Sequence, residues 1–396
     1  MVASRARSRA VPVSLCAMLS NFRPDLRILT PLRGIAALWV VIYHFGDQYL
    51  PALRPEQAGH LVGKGYLAVD LFFMLSGFVL AHVYHADFTR FDPGRYRDFL
   101  AARVARLYPL HLLVLLAFVV TAIAGRLFEF VLTGQFERLP LDGAHSITAL
   151  LANLLMLQGL AAGELSWNYP AWSISVEFFA YLLFPLAIGP IWRADRRRGA
   201  MIALALAAGV FGFAWFARGD FNQWDGPLAI ARCLPEFLLG ALLYTALRRP
   251  SIARRIGTDR VAVGLLVLGG LLLHFGAPDL LSVGLFAALV LSLAANRGRV
   301  QAILDQPPLV KLGELSYALY LVHGFVEHLT TRLLESGPGI VDRAQLGVAP
   351  SLALFATMTT VSLLLAAYLH PRIEMPGRRA LRALLMGGGK RQARPA

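Results

Sequence analysis

The sequence predicts an all-α fold, a polytopic transmembrane helical bundle of about ten membrane-spanning helices with both termini cytoplasmic. Three observations predict it. The 396 residues are 57% hydrophobic and only 16% charged, with a mean hydropathy of +0.58; soluble domains carry more charge. Apolar runs long enough to cross a bilayer recur along the chain, at 31–49, 66–86, 104–124, 170–190, 200–217, 228–247, 261–275, 280–295, 312–333 and 350–370. Finally, the loops between them alternate in charge. The loops 1–30, 87–103, 191–199, 248–260, 296–311 and 371–396 hold 28 of the 38 Lys and Arg, and the opposite set holds 6. Under the positive-inside rule the first set is cytoplasmic. The net charge of +14 is therefore a topology signal, not a nucleic-acid footprint. A multi-pass protein of a bacterial-type inner (cytoplasmic) membrane is expected, with membrane lipids as neighbours and no nucleic acid as partner.

Taken in order, residues 1–21 are Arg-rich and then briefly apolar, a disordered or signal-like tail with no clear cleavage site. An alternative start lies at Met18. Thr30 and Pro31 fit a helix start, a capping hydroxyl followed by proline at the first helical position. The first two spans form a hydrophobic hairpin that contains Arg33, His44 and Asp70. Ionisable groups in lipid are expensive and mark a functional site by default. Arg33 and His44, eleven residues apart, share one helix face about 16 Å apart along the axis. Asp70, near the start of the second span, is expected level with His44. A His beside an Asp above an Arg supplies the parts of an acid–base site over an anion anchor; a polar contact between two helices is the plain structural reading. Ser76 and Gly77 follow, with Gly77 expected to permit close helix approach, and His82 and His85 belong near the interface.

Arg103 and Arg106 open the third span. Their spacing of three puts them on one face, suited to a phosphate clamp or to an ordinary membrane-boundary anchor. The apolar run 147–160 is short and reads as re-entrant or interfacial. Trp172 and Ser173 enter the fourth span, with Glu177 about two turns in. Arg232 and Glu236, four apart in the sixth span, are expected to pair. In the ninth span Ser316, Tyr320, His323 and Glu327 form a polar stripe that lines a substrate path or glues helices together. Glu374 and Pro376 look like a helix-end device, before a basic cytoplasmic tail, 377–396, able to touch anionic headgroups. Cys16 and Cys233 are far apart and give neither a disulfide framework nor a metal motif, so no metal is expected. No internal repeat points to an inverted-repeat transporter.

The ordered motifs resemble those of the acyltransferase-3 family of integral-membrane O-acyltransferases. They are Leu32-Arg33-Gly-Ile-Ala-Ala with His44 beyond; Val69-Asp70-Leu-Phe-Phe-Met-Leu-Ser76-Gly77-Phe; Arg103-Val-Ala-Arg106-Leu-Tyr108-Pro109; Ala171-Trp172-Ser173-Ile-Ser-Val-Glu177-Phe-Phe-Ala-Tyr181; Pro235-Glu236-Phe-Leu-Leu-Gly240; Leu315-Ser316-Tyr317-Ala-Leu-Tyr320-Leu-Val-His323; and Glu374-Met-Pro376. The resemblance spans 22–376 as one membrane domain. It implies ten helices and transfer of an acyl group, usually acetyl, from acyl-CoA (acetyl-CoA above all) to a hydroxyl of a sugar, a glycan or a small hydroxylated acceptor. It also implies His44 as the essential histidine with Arg33 its paired arginine, Arg103 and Arg106 as the coenzyme-binding pair, and Asp70 and Glu177 as intramembrane acids. Some members carry a fused extracytoplasmic hydrolase-like domain, for which this sequence leaves no room. In the expected mechanism neutral His44 takes the acceptor proton while Asp70 or Glu177 orients the imidazole; Arg33 contacts the coenzyme, and Trp172, Ser173, Ser316, Tyr320 and His323 line the substrate path. The same intramembrane charges would also serve a proton-coupled transporter or flippase of a glycan or small molecule.

Overall fold

The computed structural model describes residues 26–50, 59–134, 143–161, 166–223, 228–336 and 346–387. The tail 1–21 with Cys16, and residues 388–396 of the basic tail, lie outside the described residues. Every regular element among the described residues is helical. The main helices are α1 Leu29–Tyr49, α2 Ala68–Tyr84, α3 Pro93–Thr133, α4 Ile147–Leu154, α5 Trp172–Arg193, α6 Arg196–Phe216, α7 Leu228–Ala246, α8 Asp259–His274, α9 Asp279–Ala295, α10 Pro307–Ser336, α11 Val348–Leu369 and α12 Met375–Leu385. Each of the ten expected spans overlaps one of them. Among the described residues seven helices are long and apolar enough to cross a membrane, or eight if the short helix Pro250–Ile256 and α8, bent by 62°, are one span. α9 is apolar but only 17 residues long. α10 has 30 residues and carries Lys311, Glu314, Glu327 and Arg332. The protein is a multi-pass membrane protein.

Two glycine-seated crossings fix the centre. α2 lies against α7, where a Cβ on Gly77 would overlap the Phe237 carbonyl and one on Gly240 would overlap the Met74 carbonyl. α1 lies against α10, where a Cβ on Gly34 would sit 2.5 Å from the Gly313 amide nitrogen. Hydrogen side chains let the backbones meet, which is how helices associate where lipid offers no hydrophobic drive. Phe45, Phe73, Phe78, Phe184 and Phe237 fill the space between these helices and α5. Around them α6, α8 and α11 turn apolar residues outward, among them Leu204, Phe211, Val267 and Leu364.

Two local expectations, at Thr30 and Glu374, change, and the run 147–160 takes a definite form. Thr30 does not cap α1: the 3-10 turn Leu26–Ile28 runs straight into the helix, and no side chain caps it. Without an extended residue before the helix, a hydroxyl has no position from which to cap it. The run 147–160 is α4, about 12 Å long, followed by a single turn, Gln158–Ala161, after a reversal at Met156 with φ 56°. It packs on α3 and α5, with Tyr108 Oη donating to the Leu154 carbonyl at 3.1 Å and Ser175 Oγ to the Met156 carbonyl at 2.7 Å. Glu374 does not end a helix. α11 passes through a π-helical turn, His370–Glu374, into α12, and Gly377 comes up against Pro109 of α3.

Candidate active site

Five guanidiniums meet in one cavity of about 410 Å³, lined by Arg27, Arg33, Arg103, Arg106 and Arg378. Arg33 rises from the first turns of α1. Arg103 and Arg106 share a face of α3, as their spacing requires. Arg378 comes from α12, which the π turn and the Gly377–Pro109 contact bring against α3. Arg103 is buried, donates Nη2 to Tyr84 Oη at 3.0 Å and lies over the Tyr84 ring. Arg33, Arg106 and Arg378 have no hydrogen bond or ion pair among the described residues. One carboxylate, Glu177, lines the same cavity. Its Oε1 accepts from Ser76 Oγ and from Tyr181 Oη, the latter at 2.6 Å. Three such cations, Arg33, Arg106 and Arg378, around one engaged carboxylate make an anion site, for which the planar fork of arginine suits phosphate.

A second, smaller recess continues from the first. Arg33, Ser76, Glu177 and Tyr317 line both, and Phe72, Ser173, Ser316 and Tyr320 line the second alone. Ser173 Oγ and Tyr320 Oη lie 2.7 Å apart, and both donate to the Pro170 carbonyl, at 3.1 and 3.0 Å. The Tyr320 ring is 5.7 Å from the His323 ring. The polar stripe of α10 thus faces inward and leads from the arginines toward His323.

There the second imidazole meets the first. The His44 and His323 rings stack at 5.3 Å with 28° between planes, and Tyr169 packs edge-on to His44 at 4.8 Å. Tyr169 Oη donates to Glu327 Oε2 at 2.5 Å. His323 is fully buried and neither ring nitrogen has a hydrogen-bond partner. His44 is half-buried.

Asp70 does not join this group. It is buried, and both of its oxygens go to Arg232: Nε at 2.8 Å and Nη2 at 2.6 Å. Arg232 also donates to the Phe221 carbonyl. The expected pairing of Arg232 with Glu236 is therefore wrong. The i,i+4 spacing allowed it, but the tight α2–α7 crossing offers Arg232 a partner from another helix. Glu236 is buried with neither oxygen hydrogen-bonded. Neither Asp70 nor Glu177 bonds the His44 ring among the described residues; the groups against that ring are Tyr43, Tyr169 and His323. Trp172 lies outside the walls of both recesses, over Arg232 and against Phe73. Sequence reasoning missed Arg378, placed in the tail, and Tyr169. The run Met375-Pro-Gly-Arg-Arg-Ala-Leu-Arg-Ala-Leu-Leu, with basic and apolar residues at helical spacing, carried the signal for the first. The described residues contain no group of three or more His, Cys, Asp or Glu placed to hold a metal ion.

Comparison with known proteins finds relatives along most of the chain. The chain is 31% identical to the acyltransferase MdmB of Streptomyces mycarofaciens over 382 residues, 89% of this chain and 92% of that one. It is 28% identical to the exopolysaccharide production protein ExoZ of Rhizobium meliloti, over 84% of this chain and 96% of that one. It is 26% identical to the O-acetyltransferase OatA of Staphylococcus aureus, over 74% of this chain but only 49% of that one. No solved structure matches. The profile of the acyltransferase-3 family, described as an acyltransferase domain, matches residues 29–368, so the chain belongs to that family and is an acyltransferase.

Proposed function

We propose that the protein is a membrane O-acyltransferase that moves an acetyl or other acyl group from acyl-CoA, bound from the cytoplasm, to a hydroxyl of a sugar, glycan or small hydroxylated acceptor. The observation that carries this reading is the cavity in which Arg33, Arg106 and Arg378 stand without partners beside Arg103. Three half-buried guanidiniums without partners repel one another and favour a polyanion between them. The diphosphate of coenzyme A supplies that charge. From there the thin pantetheine arm follows the second recess past Ser76, Ser173, Ser316 and Tyr320. Arg33 lines both recesses, and the two imidazoles lie beyond Tyr320, with His44 about 16 Å from Arg33 along α1.

At that end neutral His44 accepts the proton of the acceptor hydroxyl as its oxygen attacks the thioester carbonyl carbon. The carbon–sulfur bond breaks, and the imidazolium returns the proton to the departing thiolate. His323, stacked against His44 with both nitrogens buried and unbonded, is the second imidazole at this end of the path. Tyr169, tied to Glu327, holds the outer edge of His44. Glu177, bonded to Ser76, sits where the two recesses meet and shapes the passage of the arm. The name of the exopolysaccharide production relative supports a glycan acceptor, and that of the O-acetyltransferase relative supports acetyl transfer to oxygen. The reading also carries ten spans, both termini cytoplasmic, a bacterial inner membrane and one membrane domain over 22–376.

The test uses purified protein with radiolabelled acetyl-CoA and a glycan acceptor, following acceptor-dependent release of free coenzyme A. His44→Ala is expected to abolish transfer while the protein still inserts and folds. Arg103→Ala is expected to raise the apparent KM for acetyl-CoA with a smaller effect on kcat. Wild-type activity in the His44 variant would remove the base; an unchanged KM in the Arg103 variant would remove the clamp.

A further inference from the structure

A third recess opens on the same arginine-rich face, between α6 and α7, away from the two just described. Its volume is about 570 Å³, within the roughly 300–1,000 Å³ of small-molecule clefts. The rim and the floor differ in character. Arg196, Arg248 and Arg249 stand at the rim, all exposed, while Ala200, Ala203, Leu239 and Leu242 form the floor.

The rim is built rather than merely charged. The Arg248 guanidinium lies 3.9 Å from the centroid of the Trp192 ring, and its Nη1 donates to the Trp192 carbonyl at 3.2 Å. The His85 ring rests on the same indole at 3.8 Å, and the Tyr244 ring stacks parallel to it at 6.0 Å. Stacking of this kind holds a guanidinium in place while leaving its donors open. Among the described residues no carboxylate pairs with Arg196, Arg248 or Arg249. Asp195, the one acid at the rim, turns to the amide of Arg198 at 2.8 Å.

The floor is made by two helices that are each long and apolar enough to cross the membrane. Met201, Leu204 and Phe211 face outward from α6. Small residues at Gly199, Ala200 and Ala203 leave a furrow against the leucines of α7. Unpaired guanidiniums at headgroup level over a hydrocarbon furrow match one kind of molecule, a diacyl lipid with a net negative headgroup. We propose that this groove binds one anionic phospholipid, its phosphate on Arg196, Arg248 and Arg249 and one acyl chain along the floor between α6 and α7. The inference stands apart from the transfer reaction, because neither the residues nor the readout belong to the proposed active site.

The test reconstitutes the full chain in vesicles of equal phosphatidylglycerol and phosphatidylcholine, extracts it in mild detergent and measures retained lipid by native mass spectrometry. One phosphatidylglycerol per chain is expected, favoured on the order of tenfold or more over phosphatidylcholine. Arg248→Gln with Arg249→Gln should abolish the preference. Arg254→Gln with Arg255→Gln, an equal loss of charge on the neighbouring short helix, should keep it. Ala203→Trp leaves the charge unchanged, fills the furrow and should also release the lipid. Millimolar inorganic phosphate should not displace it. Equal retention of the two lipids, equal loss in both double variants, an unaffected Ala203→Trp protein, or displacement by phosphate would each overturn the proposal.

Discussion

Asp70 and Arg232 are both almost wholly buried, at 0% and 2% side-chain exposure, so neither can lose the other without stranding a charge. Removing one partner of such a pair costs about 3–5 kcal/mol. Asp70→Asn is accordingly expected to lower the unfolding temperature of the detergent-purified protein by several degrees and to reduce its yield. Four residues beyond Arg232, Glu236 makes no hydrogen bond that an amide would break. Glu236→Gln should therefore stay within about 0.5 kcal/mol of wild type in the same thermal scan. Equal destabilisation by both substitutions would mean that the carboxylate at 236 shares the work of the pair. Arg378 poses the corresponding question about binding. A charge-assisted hydrogen bond contributes about 1.5–3 kcal/mol, so Arg378→Ala should raise the KM for acetyl-CoA roughly ten- to a hundredfold and leave thermal stability unchanged. A KM equal to wild type would restrict the clamp to α3. Arg103 and Arg106 were legible as a pair because helical spacing puts them on one face. Arg378 was not, because its place depends on a π turn that continues α11 into a helix where the sequence suggested a stop.

Among the helices, the two glycine-seated crossings determine which side chains can meet. Gly77 and Gly240 bring α2 onto α7 at backbone distance, which places Asp70 within reach of Arg232. Gly34 and Gly313 bring α1 onto α10, which places His44 against His323. Side chains at these positions are expected to act as wedges: Gly77→Leu and Gly34→Leu should sharply reduce the monodisperse fraction on fluorescence-detected size exclusion. Gly264→Leu, where an added Cβ meets nothing within 4 Å, should behave as wild type. A normal profile for Gly77→Leu would show that α2 and α7 can separate without loss of the fold. The apolar runs and the charge of their loops made the helices legible, since both follow from solvation alone. The pairing of α1 with α10, which joins Gly34 to Gly313 across most of the chain, is a long-range matter that no local pattern encodes. The sequence did carry its precondition, small residues on the same helices as the ionisable ones. For the same reason His44 was expected beside Asp70, its neighbour in the hairpin, and instead faces an imidazole from the far end of the chain.

At the scale of the whole molecule, the proposed reaction requires the arginine cavity to face the cytoplasm and α10 to cross the bilayer. α10 is the hardest case, since its ionisable residues keep it from passing on apolarity alone. Their placement resolves the difficulty. Lys311 and Glu314 pair at 3.0 Å near one end with about half their side-chain surface exposed, and Arg332 is exposed near the other. Between them Ser316, Tyr320, His323 and Glu327 are all buried within the protein, so the lipid-facing surface stays apolar and the helix can span. Cysteine labelling tests this directly. In a Cys16→Ser background, where Cys233 is buried, Leu61→Cys and Val348→Cys should react with a membrane-impermeant maleimide in intact cells. Arg254→Cys and Arg299→Cys should react only after the membrane is opened. Arg299 and Val348 flank α10, so labelling of both from the same side would mean that α10 does not cross. Reversal of the whole pattern would put the arginines on the outer face, beyond the reach of cytoplasmic acyl-CoA, and the donor side of the proposed reaction would fail with it.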